Sequence, residues 1–409
     1  MKEIEKILQT GTNIFNPQTK TLANVERVID YIERGNTSPV LVEFDPSNAC
    51  NHGCYFCISS YIHLPESKDL ETFDRSIMSK ELMLDVCKDL IDMDVKAINW
   101  TGGGEPTLNP HLKDAIEYVG KNSNIKMGMF TNGTLLDKFD LFETIVDNFT
   151  WLRFSVDAGT AKTFNWIRRP GKGQDWDKMY TNLQKLIEVN NSKGKKISIG
   201  TGMVITPDTY KEIVDFAKAF APLDLDYCQY KPEVVNRERE GGIQREVEFW
   251  NTEIKPRLDE AKSILGKKYQ INGYHLVDLA EDPTILGRSY KKCLGSQIQP
   301  CIGADGHVYV CPNHRGYKQY SYGSLKEKSF KEIWLDMEKR NSVMNQIDNV
   351  ECFSNCTQLC KPHESNKIFW NIYDNYNKLS TDEERIDFKN YLYKKRDEVI
   401  KEVKHSEFI

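Results

Sequence analysis

Cys50, Cys54 and Cys57 lie in Asn-Ala-Cys-Asn-His-Gly-Cys-Tyr-Phe-Cys, a C-x3-C-x2-C spacing just after the apolar run Val40–Phe44. Closely spaced cysteine thiolates hold iron–sulfur clusters, and a four-iron cube normally takes four of them. Three in one loop leave one iron without a nearby protein ligand, open to a small molecule. The competing reading is a structural zinc knuckle. Zinc sites supply four Cys or His ligands, usually in paired C-x2-C units, and His52 is on hand as a fourth.

Such a loop has to be presented by a scaffold. Short apolar strands are expected at 40–44, 97–100, 126–131, 151–156, 197–204 and 225–231. Amphipathic helices are expected at 80–93, 111–121, 138–148, 176–190 and 210–220. Ser79 is placed to cap the first helix, whose Leu82, Val86, Leu90 and Ile91 fall at helical spacing. Strand–helix alternation implies an α/β fold, a parallel sheet with helices outside it. Active sites of parallel barrels lie at the C-terminal strand ends, and the cysteine loop follows the first strand.

The second strand runs into Thr101-Gly102-Gly103-Gly104-Glu105-Pro106-Thr107. Alone, this is as readily a tight turn as a place where a ligand nears the backbone. With the cysteine loop at the preceding strand end, the pair of motifs resembles the radical S-adenosylmethionine (radical SAM) superfamily. The resemblance implies a partial (β/α)6 parallel barrel. It also implies that the open iron binds the amino and carboxylate groups of S-adenosylmethionine, and that one electron then yields a 5'-deoxyadenosyl radical. Carried over to this chain, it places Gly103, Gly104, Glu105 and Pro106 at the methionine amino group. Thr131, Asn132, Ser155 and Asp157 end strands that face the cofactor in the family. Ser155 is the candidate contact to ribose or carboxylate; Asp157 either shares that role or caps the next helix. Phe56 matches an aromatic near the adenine and Met203 an apolar adenine contact, and both read equally as core.

Six cysteines follow residue 290. Cys293 and Cys311 flank Asp305-Gly306, read as a hairpin turn, and Cys352, Cys356 and Cys360 follow in C-x3-C-x3-C. This run resembles the SPASM and twitch extensions of the superfamily, which hold auxiliary four-iron clusters. The full SPASM pattern has seven cysteines and a C-x2-C-x5-C-x3-C run that is missing here. One auxiliary [4Fe-4S] cluster is therefore expected, on Cys293 and Cys311 with two of Cys352, Cys356 and Cys360. Cys301 is left over. A zinc ribbon is the alternative.

The expected units are a helical extension at 1–39, the barrel at 40–234, a linker or lid at 235–290, an auxiliary-cluster domain at 291–366 and a helical extension at 367–409. Cys87 reads as core filler in a helix. Near the sixth strand end, alternation turns either Tyr227, Gln229 and Lys231 or Cys228 and Tyr230 inward. Cys228 is then a candidate hydrogen-atom donor or a buried thiol, and Lys231 a candidate substrate ligand.

The chain has 409 residues, a formal net charge of −5 and a pI near 6, with no basic tract that suggests nucleic acid or anionic membrane. No signal peptide or transmembrane run is evident, and eleven cysteines without a secretory signal point to a reducing, cytoplasmic setting. The resemblance implies hydrogen abstraction from a substrate, with flavodoxin or ferredoxin as electron donor. A small polar metabolite, oxidised through the auxiliary cluster, is expected over a peptide. The 39 residues before Val40 are too few for the winged-helix module with which peptide maturases grip a leader. A peptide- or protein-modifying maturase and an epimerase are the alternatives.

Overall fold

The computed structural model describes residues 16–59, 76–171, 175–233, 247–271, 288, 290–348 and 360–409. Six parallel strands form its centre: β1 (Leu41–Phe44), β2 (Ala97–Trp100), β3 (Lys126–Thr131), β4 (Phe149–Ser155), β5 (Ser198–Ile205) and β6 (Tyr227–Pro232). They pair in sequence order, so each connection crosses over through a helix, as the alternating pattern requires. The result is the expected partial barrel.

Helices α3 (Lys80–Asp92), α4 (Leu112–Asn122), α5 (Phe142–Asn148), α6 (Ala161–Arg168), α7 (Asp175–Ser192) and α8 (Ile213–Phe220) cover its outer face. The Ser79 hydroxyl caps α3 by accepting from Leu82 N–H at 3.3 Å. Met83, Val86, Cys87 and Leu90 of α3 bury against Val42, Phe44, Ile98 and Trp100. Each such side chain contributes roughly 1.5–3 kcal/mol.

Two differences from the expected elements have local causes. The fifth helix begins at Phe142 rather than 138, because Asp140 takes φ +50 and Leu141 N–H closes a turn onto the Leu136 carbonyl. Helix α6 was not expected at all. Thr160 starts it by accepting from Thr163 N–H, and it ends on Arg169 at φ +47.

Two smaller helices come before the barrel, α1 (Pro17–Ala23) and α2 (Val25–Arg34). After α8 and β6, helix α9 (Lys255–Leu265) precedes strand β7 (Tyr269–Ile271), which adds to β6 in parallel. A π turn over Trp250–Ile254 leads into α9. Pro256 lacks the N–H that would close an ordinary helical turn there.

At the other sheet edge, β8 (Cys301–Ile302) lies parallel to β1, then β9 (His307–Tyr309) and β10 (Ser321–Ser324) continue antiparallel. The hairpin expected at Asp305-Gly306 is formed, with Gly306 at φ +85. One ten-stranded sheet thus joins the barrel to the cysteine-rich segment. Helices α10 (Phe330–Leu335) and α11 (Met337–Gln346) cover that segment, and α12 (His363–Tyr376) and α13 (Asp382–Ile400) return to α1 and α2. Together these terminal helices and Phe408 plug the N-terminal end of the inner face against Leu41, Ala97 and Trp151.

Candidate cluster and cofactor site

The loop after β1 carries Cys50, Cys54 and Cys57 and is held by backbone bonds from its neighbours. Gly104 N–H donates to the Ser47 carbonyl (3.1 Å) and Glu105 N–H to the Ala49 carbonyl (2.8 Å). A Cβ on Gly104 would run into the backbone of Asn48 and Ala49. The glycine therefore serves the close packing of two loops, which sequence reading had ascribed to ligand approach.

Glu105 is buried and is the hub of this corner. Its Oε1 accepts from Thr107 N–H (3.2 Å), Thr107 Oγ1 (2.7 Å) and Thr131 Oγ1 (2.6 Å). Its Oε2 accepts from Asn132 N–H at 2.8 Å. Burial still pushes its carboxyl above the usual range. Glu105 is also the N-cap of the short turn Pro106–Leu108. Asn132 in turn donates through Nδ2 to Asn51 Oδ1 (2.8 Å), and Asn51 donates to Thr134 Oγ1 (2.9 Å). Glu105, Thr131 and Asn132, three candidate cofactor residues, are thus hydrogen-bonded to one another, and the Asn132 side chain and the Glu105 N–H reach the cysteine loop.

A second brace comes from α6. Arg168 is buried and pairs with Asp157 and with the Ser155 carbonyl. Its Nη1 also lies 3.6 Å from Cys54 Sγ. Gly53 N–H donates to the Arg168 carbonyl at 2.9 Å. Asp157 sits at φ +65, and its Oδ1 accepts from Val204 N–H at 2.8 Å. Neither helix capping nor a free cofactor ligand describes Asp157; it is a buried tie between β4, β5 and α6. Arg168 is the main residue that sequence reading missed. The signal was Thr160 followed by Phe164, Ile167 and Arg168, a capped helix whose apolar face ends in a cation.

Burial lifts the Cys50 thiol to about 12 and the Cys54 thiol to about 11, and raises Cys57; Cys50 and Cys54 also feel neighbouring thiols. His52 Nε2 lies 3.1 Å from Asp175 and its ring meets Phe164 edge-on, so that nitrogen is engaged away from the thiols. Phe56 is partly buried beside Tyr55, whose ring it meets edge-on.

The inner face is decided by register. Tyr230 donates to the Ile213 carbonyl of α8 at 2.8 Å, so Cys228, two residues earlier, points to the helices as well. Cys228 is fully buried there and accepts from Thr201 Oγ1 at 3.4 Å. Its expected role as a hydrogen-atom donor inside the barrel is therefore corrected. Met203, opposite Tyr230 in the ladder, is likewise in the helix-facing core and not on the cofactor side. The inner face instead carries Glu43, Asn99, Phe130, Arg153, Ser155, Gln229 and Lys231. Asn99 Nδ2 donates to Glu43 (2.8 Å), and Lys361 pairs with the same carboxylate from the segment after Cys360.

In the C-terminal segment, Cys293 is buried, with its N–H on Asp348 Oδ1 (2.7 Å) and its sulfur accepting from Asn366 Nδ2 (3.5 Å). Tyr322 feels both Cys293 and Cys311. Cys301 lies on β8, fully buried, and feels Cys311 and Arg315. Arg315 Nε is 3.0 Å from Asp45 Oδ2, and its Nη1 is 3.2 Å from Ser59 Oγ. It therefore links this segment to the first cysteine loop. Cys360 is half-buried; Cys352 and Cys356 lie outside the described residues.

Two family models match this chain: the radical SAM superfamily over residues 44–220 and the SPASM iron–sulfur cluster-binding domain over residues 293–361. Residues 44–220 are thus a radical SAM domain and residues 293–361 a SPASM-type iron–sulfur cluster-binding domain. Its cofactors are S-adenosylmethionine, a cysteine-bound [4Fe-4S] cluster and auxiliary iron–sulfur, which sets aside the zinc readings. Among curated proteins it is similar to the mycofactocin maturase MftC of Mycobacterium tuberculosis, 24% identical over 81% of this chain and 78% of that protein. It is also similar to the tungsten-containing aldehyde ferredoxin oxidoreductase cofactor-modifying protein of Pyrococcus furiosus, 24% identical over 76% and 84%. Two solved structures share the fold. Streptococcus suis SuiB bound to precursor peptide SuiA has a TM-score of 0.58 at 16% identity, over 78% of this chain and 70% of that one. anSMEcpe with bound AdoMet and Cp18Cys peptide has 0.54 at 20% identity, over 80% and 88%.

The residues present fit the cluster. A buried cluster held by thiolates adds negative charge, which needs cations close by. Arg168 touches Cys54, and Arg315 and Lys231 both act electrostatically on Cys57.

Proposed function

We propose that this chain is a maturase that takes a hydrogen atom from a peptide or protein substrate held at the inner face of the barrel. When bound, S-adenosylmethionine and its cluster supply the abstracting radical, and auxiliary iron–sulfur supplies an acceptor for an electron. Cys50, Cys54 and Cys57 are the proposed cluster ligands. The Gly103–Pro106 backbone and Ser155 are proposed to seat the cofactor, and Glu105, Thr131, Asn132, Asp157 and Arg168 to set the loop that carries it. Cys293 and Cys311, with two of Cys352, Cys356 and Cys360, remain the proposed auxiliary ligands.

The observation that carries the reading is the unbroken sheet from β10 through β1 to β6. It sets the Cys301–Cys311 hairpin beside the first cysteine loop, with Arg315 spanning the two. An electron acceptor beside the abstraction site suits net oxidation of the substrate. The peptide substrate is favoured by the likeness to the mycofactocin maturase MftC and, in fold, to SuiB bound to its precursor peptide. The metabolite expectation rested only on the shortness of the stretch before Val40, whose α1 and α2 are built into the barrel floor. No helix among the described residues is long and apolar enough to cross a membrane. A cytoplasmic setting and a flavodoxin or ferredoxin donor complete the proposal.

The test is anaerobic incubation of reconstituted protein with dithionite, S-adenosylmethionine and each short peptide found by searching the reading frames on either side of its gene. A mass change in the peptide together with 5'-deoxyadenosine is expected. Formation of 5'-deoxyadenosine with an unchanged peptide would sink the peptide reading, and its absence under every condition would sink the enzyme reading.

A further inference from the structure

On the inner face, Arg153 of β4 lies flat across β5 to reach Gln229 of β6, whose Oε1 accepts from its Nη1. It can do so because Gly202 lies beneath it: a Cβ there would sit 3.2 Å from Arg153 Nε. The guanidinium also stacks on Phe130, 4.1 Å from the ring centre. Arg153 Nε is buried without a hydrogen-bond partner among the described residues. One step further along the same face of β6, Lys231 makes no hydrogen bond or ion pair among the described residues. The acid that both cations feel is Asp157, and both of its oxygens are already taken, by Arg168 and by Val204 N–H. Burial and the Arg153 charge lower Lys231 to about 8, the mark of an ammonium short of acceptors.

The Arg153 Nε–H, the Gln229 side-chain amide and the Lys231 ammonium are thus a set of donors with no acceptor, next to the cysteine loop. Of the three, Arg153 Nε is the one buried without a partner, and a buried donor left unmatched costs free energy, a charged one most. The geometry points to a carboxylate on the substrate, at a chain terminus or on an acidic side chain, seated between Arg153 and Lys231 to fix the reacting carbon relative to the cofactor. A planar guanidinium and an ammonium together suit a carboxylate. This inference rests on the substrate reading above and specifies what the substrate presents at that face.

The probe is N-acetylglycine, compared with its uncharged methylamide, titrated onto the reconstituted holoenzyme with S-adenosylmethionine present. Line broadening of the ligand is followed by NMR. The acid is expected to bind and the methylamide not. Lys231→Met and Arg153→Gln should each weaken the acid about tenfold or more, the scale of one charged hydrogen bond. Gly202→Ala, which changes no charge but displaces Arg153, should weaken the acid while circular dichroism stays native. Equal binding of acid and methylamide, or undiminished binding by the two charge variants, would overturn the proposal. So would acid binding that is seen in a parallel titration without S-adenosylmethionine and is lost when it is added, since the site would then belong to the cofactor's own carboxylate. Reductive formation of 5'-deoxyadenosine is measured on the same samples. Its presence without acid binding refutes this inference alone.

Discussion

Residue by residue, the first cysteine loop depends on two buried hubs that are not cysteines. Arg168 is enclosed with Asp157 and Cys54, and removing one partner of such a pair leaves an uncompensated charge in the interior. Arg168→Met should lower stability by about 3–5 kcal/mol in urea unfolding and reduce iron bound per chain. Adding Asp157→Asn should recover much of that loss, a coupling that a double-mutant cycle reads directly. If the single and double variants are equally destabilised, the ion pair is not the tie described here. Glu105 makes the same point with hydrogen bonds: four donors converge on it, so a family cofactor residue is also a structural keystone.

Among the elements, the loops after β1 and β2 behave as one unit because a glycine lets their backbones touch. Gly104→Ala would force the Asn48–Ala49 backbone aside, at a cost of about 1–3 kcal/mol or more, with loss of cluster loading. Gly171→Ala has open space and should be silent, which makes it the control. Iron analysis and a melting curve on both variants decide this. The C-terminal segment should keep its own metal when the first loop is emptied. The variant with Cys50, Cys54 and Cys57 all changed to Ala should retain about four iron and four sulfide per chain, the content of one cubane. Near-zero iron would remove the auxiliary cluster, and about eight would mean two. Cys301 is the residue to watch in that count, because burial beside Cys311 and Arg315 puts it within the group from which sequence reading had left it out.

For the whole molecule, the barrel floor is closed by the two ends of the chain. Phe408 meets Trp151 edge-on at 5.3 Å, and Lys20 Nζ donates to the Phe408 carbonyl at 2.9 Å. Phe408→Ala should cost roughly 3 kcal/mol by emptying that contact. His405 lies beside it, held near 4 by burial and by Lys20 and Lys404. A histidine with a lowered folded pKa takes up its proton in the unfolded chain first. Its contribution is therefore full above about 6.5 and is lost as pH falls toward 4, about 1–3 kcal/mol in all. His405→Gln should flatten the melting temperature between those pH values; an unchanged slope would assign the acid sensitivity elsewhere.

The cofactor chemistry and the barrel were legible in the residue pattern alone. Thiolate spacing at one strand end, glycines at the next and six apolar runs separated by amphipathic helices are local patterns, set by ligand chemistry and by the periods of strand and helix. Only the tertiary structure decided which side of β6 faces inward. A strand buried on both faces alternates without showing which face meets the helices, and it took the Tyr230 contact to α8 to turn Cys228 outward and Lys231 inward. The tie of Arg168 to Asp157 and the lie of Arg153 across Gly202 were equally hidden. So was the pairing of β8 with β1, some 260 residues apart in the chain. Each depends on two segments meeting in space, which burial of apolar surface and matching of polar groups determine for the chain as a whole.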